Sequence, residues 1–153
     1  MTRRVAVTGM GCVSALGGDV GAFWDACRAG RSGIGPISGI DMSGIRFSNG
    51  AQASEFDGAR HFDEKQLVPL DRFAQLAIVA AREALGQSAL SLTDAEKQRA
   101  AIVTGSCYGG KASEDAGFHS LYYERSPRVH PLTIPRLMAN AGASALTLEL
   151  GWQ

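Results

Sequence analysis

The chain has 153 residues, 45% of them apolar and 20% charged, which is the composition of one globular domain or of one half of a larger one. Fifteen basic and fifteen acidic residues cancel, so nucleic acid and an anionic membrane are not expected as main partners. No apolar run is long enough to span a bilayer, and the three cysteines, Cys12, Cys27 and Cys107, show no CxxC or metal-ligand spacing, so a reduced, cytoplasmic protein without a metal site is expected.

Arg4–Thr8 (RVAVT) is a β-branched run and predicts a strand ending at Gly9. The arginines before it imitate a signal peptide, but Thr8, Gly9 and Gly11 interrupt the apolar stretch and no clean cleavage site follows. The loop TGMGCVSALG imitates a dinucleotide-binding turn. It has Ser14 where close helix packing needs a third glycine or an alanine, and no acidic strand end follows at the usual distance. A glycine-rich loop without a cofactor fits better.

Asp19–Ala29 carries Val20, Phe23, Trp24 and Cys27 at helical spacing, with Gly30 as its stop. Phe23, Trp24 and Cys27 are expected in the core. From Gly30 to Gly58 the chain reads as a long loop with one edge strand near Ile45–Ala53. Asp71–Leu85 is the clearest helix, capped by Asp71 and ended by Gly86, and apolar on enough of its circumference to be buried between layers. Thr93 and Glu96 form a capping box for a short helix.

Ala100–Thr104 (AAIVT) predicts a fully buried strand of an α/β sheet, emptying into a turn with Gly105, Gly109 and Gly110. Ligands in α/β sheets sit beyond the carboxyl ends of strands, so the turn holding Ser106, Cys107 and Tyr108 is the first candidate site. Ala112–Arg125 is polar and helical in pattern, and Met138–Leu150 is a small-residue helix closed by Gly151.

Gly105–Gly109 (GSCYG) also has the form of a nucleophile elbow with cysteine for serine, and Asp115 with His119 or His130 completes a possible triad order. The glycines work against the helix such an elbow needs, and the other reading makes Cys107 a pocket-wall or core residue. His61 reads as a surface residue and His130 as structural.

Five stretches together resemble the elongating β-ketoacyl-acyl-carrier-protein synthases (KAS II ketosynthases). They are RRVAVTGMGCVSALG, FWDACRAGRSGIGPI, LDRFAQLAIVAAREAL, AAIVTGSCYGG and VHPLTIPRLMANAGASALTLELGWQ, in the family's order and across almost the whole chain. The resemblance implies an α/β, thiolase-like fold of which residues 1–153 are the N-terminal portion. It implies transfer of an acyl group from acyl carrier protein to a cysteine, then decarboxylative condensation with malonyl carrier protein, without a cofactor. The family's nucleophile, two histidines and lysine would match beyond Gln153, so the chain alone is expected to be inactive.

The resemblance also implies an acyl pocket from Cys107, Tyr108, Leu132, Thr133, Ile134 and Met138, the last four facing the pocket of a partner subunit. Tyr108 stands where an aliphatic gate is usual, and Thr133 replaces an aromatic. Both departures point to an unusual acyl chain such as a polyene or polyketide intermediate. Carrier-protein docking falls on Lys65 with Arg60 and Arg72, although Val68 and Pro69 stand where further basic residues are common. The partner is a second copy, or the other half of a ketosynthase/chain-length-factor heterodimer. A non-catalytic chain-length-factor-like protein, a small cysteine hydrolase using Cys107 and a pure interaction module are the competing expectations.

Overall fold

The computed structural model describes residues 4–152. The chain divides into two units: residues up to Asp57 together with Val79–Ala89, and Gly58–Ile78 together with Leu90 onward.

In the first unit, α1 (Val20–Arg28) begins where Asp19 Oδ1 accepts the Ala22 N–H at 2.7 Å, and Gly30 leaves it with φ +64°. That is the predicted helix with its predicted stop, and Asp19 is its cap rather than its first residue. Only Ala26 is fully buried on it. Trp24 is 60% exposed and Cys27 is exposed, against expectation, because no described element packs over that side of α1. Two short antiparallel strands, β1 (Gly35–Pro36) and β2 (Asn49–Gly50), pair Gly35 with Gly50 and Pro36 with Asn49. β2 lies inside the predicted edge segment. Gln52 prolongs the ladder with its side chain, accepting the Ser38 N–H and donating to the Ser38 carbonyl.

The second unit holds most of the buried apolar side chains: Phe62, Ala74, Ile78 and Leu146. After a 3-10 turn (Gly58–Arg60) comes α2 (Glu64–Leu67), started by a capping box in which Asp63 and Gln66 each accept the other's backbone N–H. α3 (Arg72–Ser88) starts at Asp71, and its residues from Val79 onward belong to the first unit. It runs through Gly86 and ends where Ala89 turns left-handed at φ 51°. Most of its residues are half-buried rather than sealed between layers.

The Thr93–Glu96 box starts α4 (Asp94–Lys97) as expected. The bonds from the Thr93 backbone and hydroxyl hold the Glu96 carboxyl below its ordinary pKa. α5 (Lys111–Phe118) passes into one π-helical turn, His119–Tyr123, so the helix predicted from Ala112 is present with a widened end. α6 (Thr133–Leu137) accommodates Pro135 in its first turn, where proline costs little. Met138 is extended and breaks the chain before α7 (Ala141–Leu150), which therefore starts later than predicted and is closed by Gly151 at φ 63°.

The two strands predicted from β-branched runs are not paired. Arg4–Thr8 and Ala100–Thr104 are irregular and mostly exposed, with Val5 94% and Val103 92% accessible. A β-branched run becomes a strand only through a neighbouring backbone that completes its ladder, and among the described residues nothing supplies one.

Candidate functional site

The turn after Ala100–Thr104 is built by its glycines. Gly109 sits at φ +70°, and a Cβ on Gly109 or Gly110 would meet the backbone of Arg136, Leu137 and Met138. The Gly110 N–H donates to the Leu137 carbonyl at 3.1 Å. The close approach that these glycines allow is therefore to the end of α6, not to a ligand. Ser106 Oγ accepts the Gly109 N–H at 2.8 Å and closes the turn.

This contact sets the backbone of Gly109 and Gly110, which follow Cys107 and Tyr108, against Arg136–Met138 at the end of α6. Cys107 and Tyr108 project from the turn, both exposed, Tyr108 to 74%. The Lys111 ammonium lies 5.6 Å from the Tyr108 ring centre. Its hydrogen bond to Glu114 raises the lysine's pKa above the ordinary value. Across the Gly110–Leu137 bond stand Thr133 and Ile134 in α6, with Leu132 just before it and Met138 just after. Leu132 and Thr133 are half-buried; Ile134 and Met138 are exposed. Thr133 Oγ1 donates to the His130 carbonyl at 2.7 Å, so its hydroxyl is used within its own turn.

The triad geometry is not formed. His119 Nδ1 lies 3.4 Å from Glu124 Oε1 and its ring stacks on Tyr123, while His130 Nδ1 accepts the Leu132 N–H at 3.2 Å. Among the described residues no hydrogen bond joins Cys107 to a histidine, and no three of His, Cys, Asp and Glu gather as a metal site requires. His130 closes the turn into α6, as a structural histidine should.

Met138 also lines an apolar groove of about 410 Å³ with Phe62, Leu70, Ile78 and Leu148 among its walls. None of the other predicted pocket residues reaches this groove. The predicted docking residues occupy successive elements nearby in sequence: Arg60 ends the 3-10 turn, Lys65 is in α2 and Arg72 opens α3, all exposed. Asp63 and Glu64 immediately precede Lys65, which weakens any positive field there.

Two residues at the site were beyond the sequence patterns. Asp71 is 4% exposed, and besides accepting the Phe73 N–H at 3.2 Å it accepts the Ser113 N–H of α5 at 2.7 Å. Arg136, whose backbone the Gly110 Cβ position would strike, has its Nε buried without a hydrogen-bond partner among the described residues. Aspartate before an apolar helix signals a cap, but no local pattern announces a second bond 42 residues away.

A family model described as "Beta-ketoacyl synthase, N-terminal domain" matches residues 2–153. The chain is 34% identical to "Nodulation protein E" of Rhizobium sp. (strain N33) over 151 residues, covering 99% of this chain and 37% of that protein. It is 32% identical to "3-oxoacyl-[acyl-carrier-protein] synthase 2" of Staphylococcus aureus (strain N315), covering 97% of this chain and 36% of the relative. The solved structure "The ishigamide ketosynthase/chain length factor" superposes with a TM-score of 0.81 at 26% identity, over 94% of this chain and 36% of that one. The chain thus spans little more than a third of the length of these relatives, and it shares the thiolase-like fold of the ketosynthases. By the match across its residues, the chain belongs to the β-ketoacyl synthase family, in the region of that family's N-terminal domain.

Proposed function

We propose that the chain is the N-terminal portion of an elongating ketosynthase that condenses an acyl thioester with malonyl carrier protein, acting as a dimer in the cytoplasm. The nucleophilic cysteine, the enolate-stabilising histidines and the lysine lie outside residues 1–153 in this reading, so the chain alone does not condense. Its own part is one wall of the acyl pocket. The observation that supports this part is the contact of Gly109 and Gly110, which follow Tyr108, with the backbone of Arg136–Met138 at the end of α6.

In this role Tyr108 is the gate of the acyl tunnel. A phenol in place of an aliphatic side chain narrows the tunnel and offers one hydrogen bond, which suits a shorter or more polar acyl chain. Thr133 leaves room on the partner's side, and the intermediate is one of polyketide or polyene type. Cys107 is a wall residue. Arg60, Lys65 and Arg72 dock the acidic carrier protein through a small, salt-sensitive contact.

Acyl-chain profiling of the full-length enzyme tests the pocket: Tyr108→Ile shifts its products to longer chains, and unchanged products refute the gate. Lys65→Glu weakens carrier-protein affinity, and an unchanged affinity removes the docking role.

A second reading is favoured by the fold match to a ketosynthase/chain length factor. The same wall would then belong to a non-catalytic partner that shapes a true ketosynthase's pocket. Acyl loading of the full-length protein separates the two, since only the ketosynthase forms a thioester on its own nucleophile.

A further inference from the structure

We infer that Asp71 is a positioning residue that locks the gate turn to the carrier-docking segment, an inference that rests on the reading of Tyr108 as gate and of Arg60–Arg72 as docking surface. Starting a helix requires one side-chain oxygen at the cap. Asp71 has two, and uses Oδ1 on Phe73 in α3 and Oδ2 on Ser113 in the first turn of α5. The carboxyl group is buried, and each of its oxygens accepts one backbone N–H there.

The relay continues in both directions. Asp71 is bonded through the chain to Arg72, and α2 with Lys65 precedes it by a few residues. On the other side, Ser113 lies three residues after Gly110, and the backbone of Gly109 and Gly110 rests on Leu137 and Met138. Two hydrogen bonds, Ser113 to Asp71 and Gly110 to Leu137, thus hold the turn bearing Cys107 and Tyr108 between the docking segment and the end of α6. The exposed turn makes few other contacts that would fix it: Ser106 closes it internally and Lys111 lies over the Tyr108 ring. Where the gate stands is therefore set by the latch more than by packing around Tyr108.

The test separates latch from cap. Asp71→Ser keeps an oxygen that caps α3 but is too short to reach Ser113; Asp71→Asn keeps the length with one carbonyl oxygen to share. Both are made in the chain with Cys12 and Cys27 replaced by serine, so that thiol labelling reports Cys107 alone. Amide hydrogen exchange and the Cys107 labelling rate are then measured. In Asp71→Ser the Gly110 and Ser113 amides should exchange roughly tenfold faster, and Cys107 labelling should change by about threefold or more, while the Phe73–Gln75 amides stay within about twofold. Asp71→Asn should fall between. Unchanged Cys107 labelling in both variants overturns the inference, and so does faster exchange of Phe73–Gln75 in step with Ser113. Neither readout involves products or carrier protein, so failure here is distinct from failure of the Tyr108 and Lys65 experiments.

Discussion

The chain makes the same local device twice, with different results. Val7-Thr8-Gly9 and Val103-Thr104-Gly105 each end an exposed β-branched run and open a glycine turn. Each turn is pressed onto backbone: a Cβ on Gly9 or Gly11 would strike the Ala84 or Ala80 carbonyl of α3, as one on Gly109 or Gly110 would strike Arg136–Met138. Each is also held by a carboxylate on α3 or at its cap. Glu83 accepts the Cys12 and Val20 N–H groups, both at 2.9 Å, as Asp71 accepts those of Phe73 and Ser113. Gln87 adds a bond from the Met10 N–H. The outcomes differ in what is left outside. From Gly11 to Gly17 the first turn is half-buried, whereas Gly105 to Tyr108 stays exposed. The first turn uses its glycines to seal a loop onto a helix, and the second uses them to present Cys107 and Tyr108.

Substitutions can break each turn in its own way. The largest effect is expected from filling the close approaches. Gly11→Ala and Gly110→Ala each force backbone apart and should cost about 1–3 kcal/mol or more in urea unfolding. Only Gly110→Ala should also alter Cys107 labelling; an equal change from Gly11→Ala would mean that the two turns are not separate devices. Next comes Glu83→Ala, which orphans two half-buried N–H groups and should cost about 2 kcal/mol, with Glu83→Gln costing less. Equal losses from the two would show that the carboxylate's geometry is irrelevant. The smallest effect has the opposite sign. Gly86, exposed within α3 with nothing near its Cβ position, is a glycine without a contact to protect. Gly86→Ala should therefore raise stability by roughly 0.5–1 kcal/mol, read as a higher urea midpoint.

Gly86 also shows where sequence reading reaches its limit. A glycine near the end of a helical pattern predicts a stop, yet the helix continues to Ser88 because nothing at Gly86 demands a positive φ. Local chemistry was legible where it closes within a few residues: Gly30 after α1, the Thr93–Glu96 box, and Gly151 after α7. Strand pairing and core position were not legible in the same way, since they depend on what lies across from a residue. Val5, Val103 and Trp24 have the side chains of a sheet or a core, but among the described residues nothing covers them. Of the candidate site, the glycine turn was legible in its own residues and the segment from Leu132 to Met138 came from the resemblance, whereas the contact of Gly109 and Gly110 with the end of α6 and the bond from Ser113 to Asp71 are tertiary facts.

The proposed role makes the exposed turn a pocket wall and not a catalytic elbow. To test it, the chain is incubated with an acyl thioester and its intact mass read, alongside condensation by the full-length enzyme carrying Cys107→Ala. A pocket wall gives no acyl adduct on the chain and retained condensation, with altered chain length at most. An acyl adduct that disappears in Cys107→Ala, or loss of all condensation in that variant, would contradict it.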